Sequence, residues 1–502
     1  MTPRLETIMP TNPSVIRWAV LGLSLGLSLG LAPVRTQAAT IEVQNRDRPG
    51  VGFNDPTPVE PVGGNPGRTL GEQRMNVYRY VAGIWERAID SPIKITVSAG
   101  WEPLDCNATG AVLGSAMPYN VWYDFPGAPV AGTWYPQALA NRLSGRSLTD
   151  YYGQQDDGSG YGNVDIKTQF NINLGATGCL TGTKFYLGLD GQAGDQINFA
   201  ITLLHELGHG LGFSLLTTNP SSGARFMGVP SIWEAFMYDS TVGKTWLAME
   251  DWERSYSAMT PLKLGWSGAN VAAAVPQVLT FAMLPALQVS GSGAGSAAGL
   301  KQLGLADFGP ALGPTPVTGV VVRVTDQVNG TGLACTPLSS ANAIQVSGRI
   351  ALIDRGGCPF VQKVKNLQLA GAKAVMVADN VVEPIADMTG SDSTITIPSV
   401  RILKVDGDAI KAALLNRVRG KAAPEVLASL SAAVTGQYAG TDSAGRPLLY
   451  TPAAFSPGSS VSHWDTTLTP NMLMEPFISP NLTTTLTAPK DLTLPLLKDI
   501  GW

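Results

Sequence analysis

The chain of 502 residues contains three histidines, and two of them fall in His205-Glu206-Leu207-Gly208-His209. At helical spacing, residues i and i+4 sit about 40° apart around the axis, so both imidazoles can reach one ion from a single face. Glu206 lies one position round, close enough to touch a water on that ion without filling a ligand position. A catalytic zinc takes three protein ligands and leaves a fourth position open. Two residues compete for third place: His463, in Ser462-His463-Trp464-Asp465, and Glu234, in Ile232-Trp233-Glu234-Ala235. Such a set supports hydrolysis, in which zinc acidifies a water and polarises a carbonyl while Glu206 moves the proton as general base. The bland alternative is a surface helix with two incidental histidines. Both histidines and the glutamate lie opposite an apolar stripe, which argues against it.

The helix that must carry this motif has Asp195 as its expected N-cap after the Gly191–Gly194 run. Ile197, Ile201, Leu204, Gly208 and Leu211 recur on one face, and Gly212 can end the helix in a left-handed conformation. Upstream, residues 40–70 are rich in proline and glycine and read as an extended leader rather than a core element. Apolar periodicity predicts a helix over 71–89, stopped by Ser91-Pro92, and a half-buried strand over 93–97. A short helix is expected near Gln137–Leu143 and a solvated loop over Gly153–Gly162, with strands over 164–174 and 183–189. The strand at 183–189, just before the histidine helix, is a candidate edge for an extended peptide. From about 283 the texture changes to short strands rich in Gly, Ala and Val. Strands are expected at Val320–Val324, Arg349–Asp354, Ala374–Ala378 and Ile395–Val400, with a helix at Lys363–Ala370. After about 430 the Trp, Pro and Thr usage of the first region resumes, so one domain is split by another.

Composition bounds the rest. Formal net charge is -4 and charged residues make up 14% of the chain, which argues against a nucleic-acid partner. The 56 glycines and 36 prolines make a loop-rich protein, short of a disordered one. Arg4 and Arg17, the apolar run Trp18–Ala32 and the small residues before Ala39 read as a secretory signal over 1–39. The run is shorter than the roughly 20 residues of a membrane span, and nothing later is long enough to anchor the chain stably. The four cysteines form no CxxC pair, and sequence proximity favours Cys106–Cys179 and Cys335–Cys358. An even count suits an oxidising compartment, so a secreted or otherwise extracytoplasmic location is expected. The sequons at Asn107, Asn329 and Asn481 matter only if the host glycosylates.

His205–Phe213, HELGHGLGF, resembles the start of the metzincin motif HExxHxxGxxH. Leu215 stands where the short form has its third histidine. Leishmanolysin-like metzincins carry a segment inserted after the glycine, and Ser462–Asp465 followed by Asn471-Met472-Leu473-Met474-Glu475-Pro476 is similar to their third-ligand and Met-turn segment. The resemblance implies one catalytic zinc on His205, His209 and His463, with Glu206 as base and Met474 beneath the site; Met472 is the neighbouring alternative for the Met-turn. It favours His463 over Glu234. Residues 71–97 and Leu492–Trp502 resemble the opening and closing elements of such domains. Separately, Arg349–Phe360, Lys363-Val364 and Ala370–Val375 closely resemble the protease-associated (PA) domain, in which Asp354, Arg355 and Lys363 are read as structural or solvated.

The expected architecture is therefore α+β, a metzincin-like catalytic domain of mixed sheet and active-site helix interrupted by a β-rich PA domain. Its parts are a signal peptide over 1–39, catalytic segments over 40–282 and 431–502, and the insert over 283–430. The expected function is zinc-dependent endopeptidase action on proteins or peptides, with residues 40–70 as a possible cleft plug. The rival is a non-catalytic zinc-containing adhesin or binding protein that works through its PA domain.

Overall fold

In the computed structural model, residues 37–151, 163–325, 332–415 and 424–502 are described. Residues 1–36 of the expected signal segment, the whole Gly153–Gly162 loop and the Asn329 sequon lie outside them. Ala38–Trp502 forms one compact unit. Among the described residues, no helix is long and apolar enough to cross a membrane.

A four-stranded sheet runs in the order Ile41–Asn45, Ile95–Glu102, Ile166–Asn171, Gly114–Pro118. The first three strands are parallel and the last is antiparallel. The strand expected at 93–97 starts later and runs longer, and it is buried on both faces rather than one. The 40–70 segment is not a leader. Ile41–Asn45 pairs in register with Ile95–Ala99, and the Phe53 ring sits 5.7 Å from Tyr78 and 6.2 Å from Trp101. Its proline and glycine content hid a strand whose partner is some fifty residues away. That strand lies on the sheet edge opposite Gly114–Pro118, so it does not plug the site described below.

The helix Leu70–Ala88 starts in a capping box between Thr69 and Glu72 and buries Tyr78, Val81 and Trp85, the Tyr78 hydroxyl meeting Thr168 of this sheet and the Trp85 indole donating to Leu204 O at 3.3 Å. The histidine helix, Phe199–Leu211, packs beside it and is buried on every side. Its N-cap is Asn198, whose side chain accepts from the Ala200 and Ile201 amides, and not Asp195. The helix cannot begin earlier because Ile197–Asn198 is paired with Phe185–Tyr186, all that forms of the strand expected over 183–189. Gly212, at φ +117°, ends the helix as expected. Inside the helix, a Cβ at Gly210 would lie 2.3 Å from Ile166 Cγ2, so glycine permits the helix to rest directly on the sheet.

A second, eight-stranded sheet spans Phe281 to Tyr438. Its two outermost strands, Gly299–Lys301 and Leu303–Gly304, are neighbours in sequence. One short stretch thus pairs with both ends of the sheet and curls it closed, leaving little free edge. Ile350–Asp354, Ala374–Ala378 and Ser399–Ile402 form its parallel centre, the last starting beyond Pro398 rather than at Ile395. Separate apolar clusters include Leu352, Met376 and Val400 on one side and Ile353, Val364 and Val377 on the other. Both expected disulfides, Cys106–Cys179 and Cys335–Cys358, are formed.

The tail returns to the first core. Leu448 and Leu449 bridge to Gly265 and Trp464, the closing helix Thr493–Ile500 is buried along one side, and the Trp502 indole donates to Leu211 O at 2.7 Å.

Candidate metal centre

The structure brings His205, His209 and His463 together, the last from a loop 254 residues beyond His209. All three are buried, and their Nε2 atoms stand 3.1, 3.1 and 3.3 Å apart. Each Nδ1 meets a backbone carbonyl: Leu473 O at 2.7 Å for His205, Phe213 O at 2.7 Å for His209 and Ser459 O at 2.9 Å for His463. A carbonyl oxygen can only accept, so the proton of each neutral ring resides on Nδ1. Three Nε2 lone pairs then point into one small space. Burial, followed by the neighbouring imidazoles, holds His209 well below its ordinary value; burial brings His205 to about 4, and burial with His205 alongside brings His463 to about 3. Near neutral pH these lone pairs face one another unprotonated, a donor set that a cation would suit. Zinc fits: with Zn–N bonds of about 2.0–2.1 Å, tetrahedral geometry puts nitrogens about 3.3–3.4 Å apart.

Glu206 lies on the same buried helix, and burial pushes its carboxyl up to about 8, opposed by a hydrogen bond from the Ala116 amide. Ala116 belongs to the antiparallel edge strand Gly114–Pro118. This strand, rather than 183–189, is the sheet edge beside the histidine helix. Beside the histidine helix, Met474 is fully buried, and a Cβ at Gly208 would come within 2.9 Å of its sulfur. Glycine between the two helix histidines therefore makes room for Met474. Met472 is buried as well, while its amide donates to Glu475.

Glu234 is not in the cluster. It is fully buried, accepts from Thr218 Oγ1 at 2.6 Å and from the Ser231 amide at 3.1 Å, and pairs with Arg225 at 2.8 Å. It caps a short helical turn, which Ser231 three residues earlier foreshadows. The residues that sequence reasoning missed act mostly through the backbone: Ala116 by its amide, and Leu473, Phe213 and Ser459 by their carbonyls. Backbone groups leave no mark in the sequence. In the second sheet, Asp354 pairs with Lys411, Arg355 with Asp379 and Glu383, and the buried Lys363 ammonium donates to Leu333 O at 2.7 Å.

Residues 317–410 match the PA domain family. Vacuolar-sorting receptor 5 of Arabidopsis thaliana is 47% identical over 73 residues, which are 13% of this chain and 12% of the receptor. The probable lipoprotein aminopeptidase LpqL of Mycobacterium tuberculosis is 38% identical over 96 residues, 19% of this chain and 18% of that protein. The chain thus spans less than a fifth of the length of these relatives. Among solved structures, BSAP, a zinc aminopeptidase from Bacillus subtilis, aligns with 21% identity over 33% of this chain and 36% of its own, at a TM-score of 0.21 that carries no argument about fold. Residues 317–410 are a PA domain.

Proposed function

We propose that this chain is an exported zinc-dependent endopeptidase, a leishmanolysin-like metzincin whose catalytic segments, 40–282 and 431–502, flank a PA domain inserted over 283–430. The observation that carries this reading is the convergence of three unprotonated Nε2 atoms beside a buried glutamate. His205, His209 and His463 would hold the ion. Zinc bound there supplies Lewis acidity toward a carbonyl oxygen and lowers the pKa of a water toward about 7. Glu206 takes the proton of the attacking water and delivers it to the leaving amine nitrogen. A cation beside it favours its charged form, the one a base requires. The Ala116 amide fixes the carboxylate's orientation, and the edge Gly114–Pro118 can align an extended peptide beside it. The name of the mycobacterial relative, an aminopeptidase, supports peptide substrates, and the two disulfides support an extracytoplasmic location.

The test is an unstructured peptide library exposed to the protein exported from a secreting host, beside Glu206→Ala of equal zinc content. Internal cuts made by the wild type alone support the reading. Trimming from the N-terminus alone replaces it with an aminopeptidase. No cleavage by either protein while both hold zinc leaves the binding-protein alternative.

A further inference from the structure

The three carbonyls that orient the histidines are themselves held in different ways. Phe213 belongs to the end of the histidine helix, where its amide donates to Gly208 O at 3.0 Å. Ser459 lies in a tight turn, with its amide and that of Ser460 donating to Ser456 O at 3.1 and 2.9 Å. Leu473 is anchored from far along the chain. Its amide donates to Asp491 Oδ2 at 2.7 Å, while its carbonyl accepts the His205 proton at 2.7 Å. Asp491 is 3% exposed and stands one residue before Leu492, the N-cap of the closing helix, and its other oxygen accepts the Thr493 amide at 2.7 Å. Among the described residues, no lysine or arginine pairs with it.

We infer that Asp491 is a positioning residue for the metal centre: it clamps Leu473 from the N–H side so that the carbonyl on the other side fixes the ring plane and tautomer of His205. The inference rests on the metal reading above. A ring left free to rotate about its χ angles has to be ordered by the ion itself, so the clamp increases metal affinity. The closing helix thereby acts on a ligand almost three hundred residues upstream. Groups in this supporting position typically change metal affinity about 10–100-fold when removed.

The experiment uses the full exported chain as wild type, Asp491→Ala, Asp491→Asn and the control Asp165→Asn. Asp165 is a buried carboxylate of matching chemistry, accepting from the Thr96 amide, Gln137 and Asn141, with no histidine among these partners. Zinc Kd is measured by chelator competition, and backbone hydrogen exchange over 471–476 is followed in the metal-free proteins. Asp491→Ala is expected to weaken zinc binding by about 10–100-fold and to speed exchange over 471–476. Asp491→Asn, which keeps one acceptor oxygen, shifts Kd in the same direction by less, and it carries the test if the alanine variant does not fold. The control is expected to lose stability while its zinc Kd and that exchange stay at wild-type values. Asp491 variants that move zinc Kd no more than Asp165→Asn overturn the inference. Absence of zinc binding by the wild type overturns the metal reading instead, and the exchange arm, which needs no metal, still reports on the clamp.

Discussion

The burial of the histidines and of Glu206 leads to an unusual pH dependence of metal binding. An exposed site of three ordinary imidazoles, each with a pKa near 6.5, would lose about four orders of magnitude in affinity between pH 7 and pH 5 as protons compete. Here His205 is brought to about 4 and His463 to about 3, with His209 well below its ordinary value, so the folded site is already proton-free across that range. Glu206, pushed up to about 8, keeps its proton in the metal-free protein and gives it up when a divalent cation arrives beside it. One displaced proton means about a tenfold change per pH unit, so wild-type affinity should fall about 100-fold from pH 7 to pH 5, or about 2.7 kcal/mol. Glu206→Gln has no such proton and should bind zinc with an affinity flat to within about twofold over the same range. Competition against a chelator of known protonation gives both curves. Calorimetry at pH 6.5 in buffers of different ionisation enthalpy should count one proton released by the wild type and none by the variant. A fall of three or more decades in the variant would mean that the imidazoles titrate normally, and a flat wild-type curve would mean that Glu206 is already ionised; either refutes the reasoning. For stability the signs oppose. Depressed imidazoles destabilise the metal-free fold as pH drops below 6.5 toward their folded values, whereas Glu206, raised from 4.5, destabilises it as pH climbs toward about 8.

Three further outcomes follow from the packing. His463→Ala should abolish tight zinc binding, whereas Glu234→Ala should retain it and lose about 3 kcal/mol of stability, because Arg225 is left without its buried partner; zinc analysis with denaturant unfolding separates the two. Gly210→Ala sets a methyl against Ile166 Cγ2 and should cost about 1–3 kcal/mol, read from the shift in urea midpoint. Opening Cys335–Cys358 with paired serines frees a loop of separation 23 and should cost the PA domain about 3 kcal/mol, while zinc Kd at the histidines stays unchanged.

Chemistry was the most legible part of this chain. The spacing of His205 and His209 places both on one helix face, and the residues alone leave His463 and Glu234 competing for third place until the metzincin resemblance favours His463. Helices with strong periodicity, such as Leu70–Ala88, and the apolar strand Ala374–Ala378 were legible too. Elements defined by distant partners were not. Ile41–Asn45 has two apolar residues amid proline and glycine, and only pairing with Ile95–Ala99 makes it a strand. Asp195 is a reasonable cap by residue type, but strand pairing at Ile197–Asn198 postpones the helix to Asn198. The edge strand Gly114–Pro118, GSAMP, shows no alternation at all, yet its Ala116 amide reaches the glutamate. Asp491 looks like any loop aspartate until Leu473 is brought against it.

The distance between His209 and His463 has a simple resolution in space. Phe281 and Tyr438 face each other across the two strands that lead into and out of the eight-stranded sheet, with rings stacked 4.7 Å apart. The chain therefore leaves and returns at nearly one point, and the long ladder from Phe281–Ser290 to Leu427–Tyr438 bears the cost of closing the loop. That cost grows slowly with length, by about 0.6 kcal/mol per doubling. Leu215, where the short form of the motif has its third histidine, donates its backbone amide to Ser462 Oγ at 3.1 Å, so His463 arrives beside the position it replaces. A histidine six residues on would have completed the site from local structure alone. If the three histidines hold the ion as proposed, the third ligand arrives only when the tail has docked, so tight metal binding is expected to follow folding rather than nucleate it.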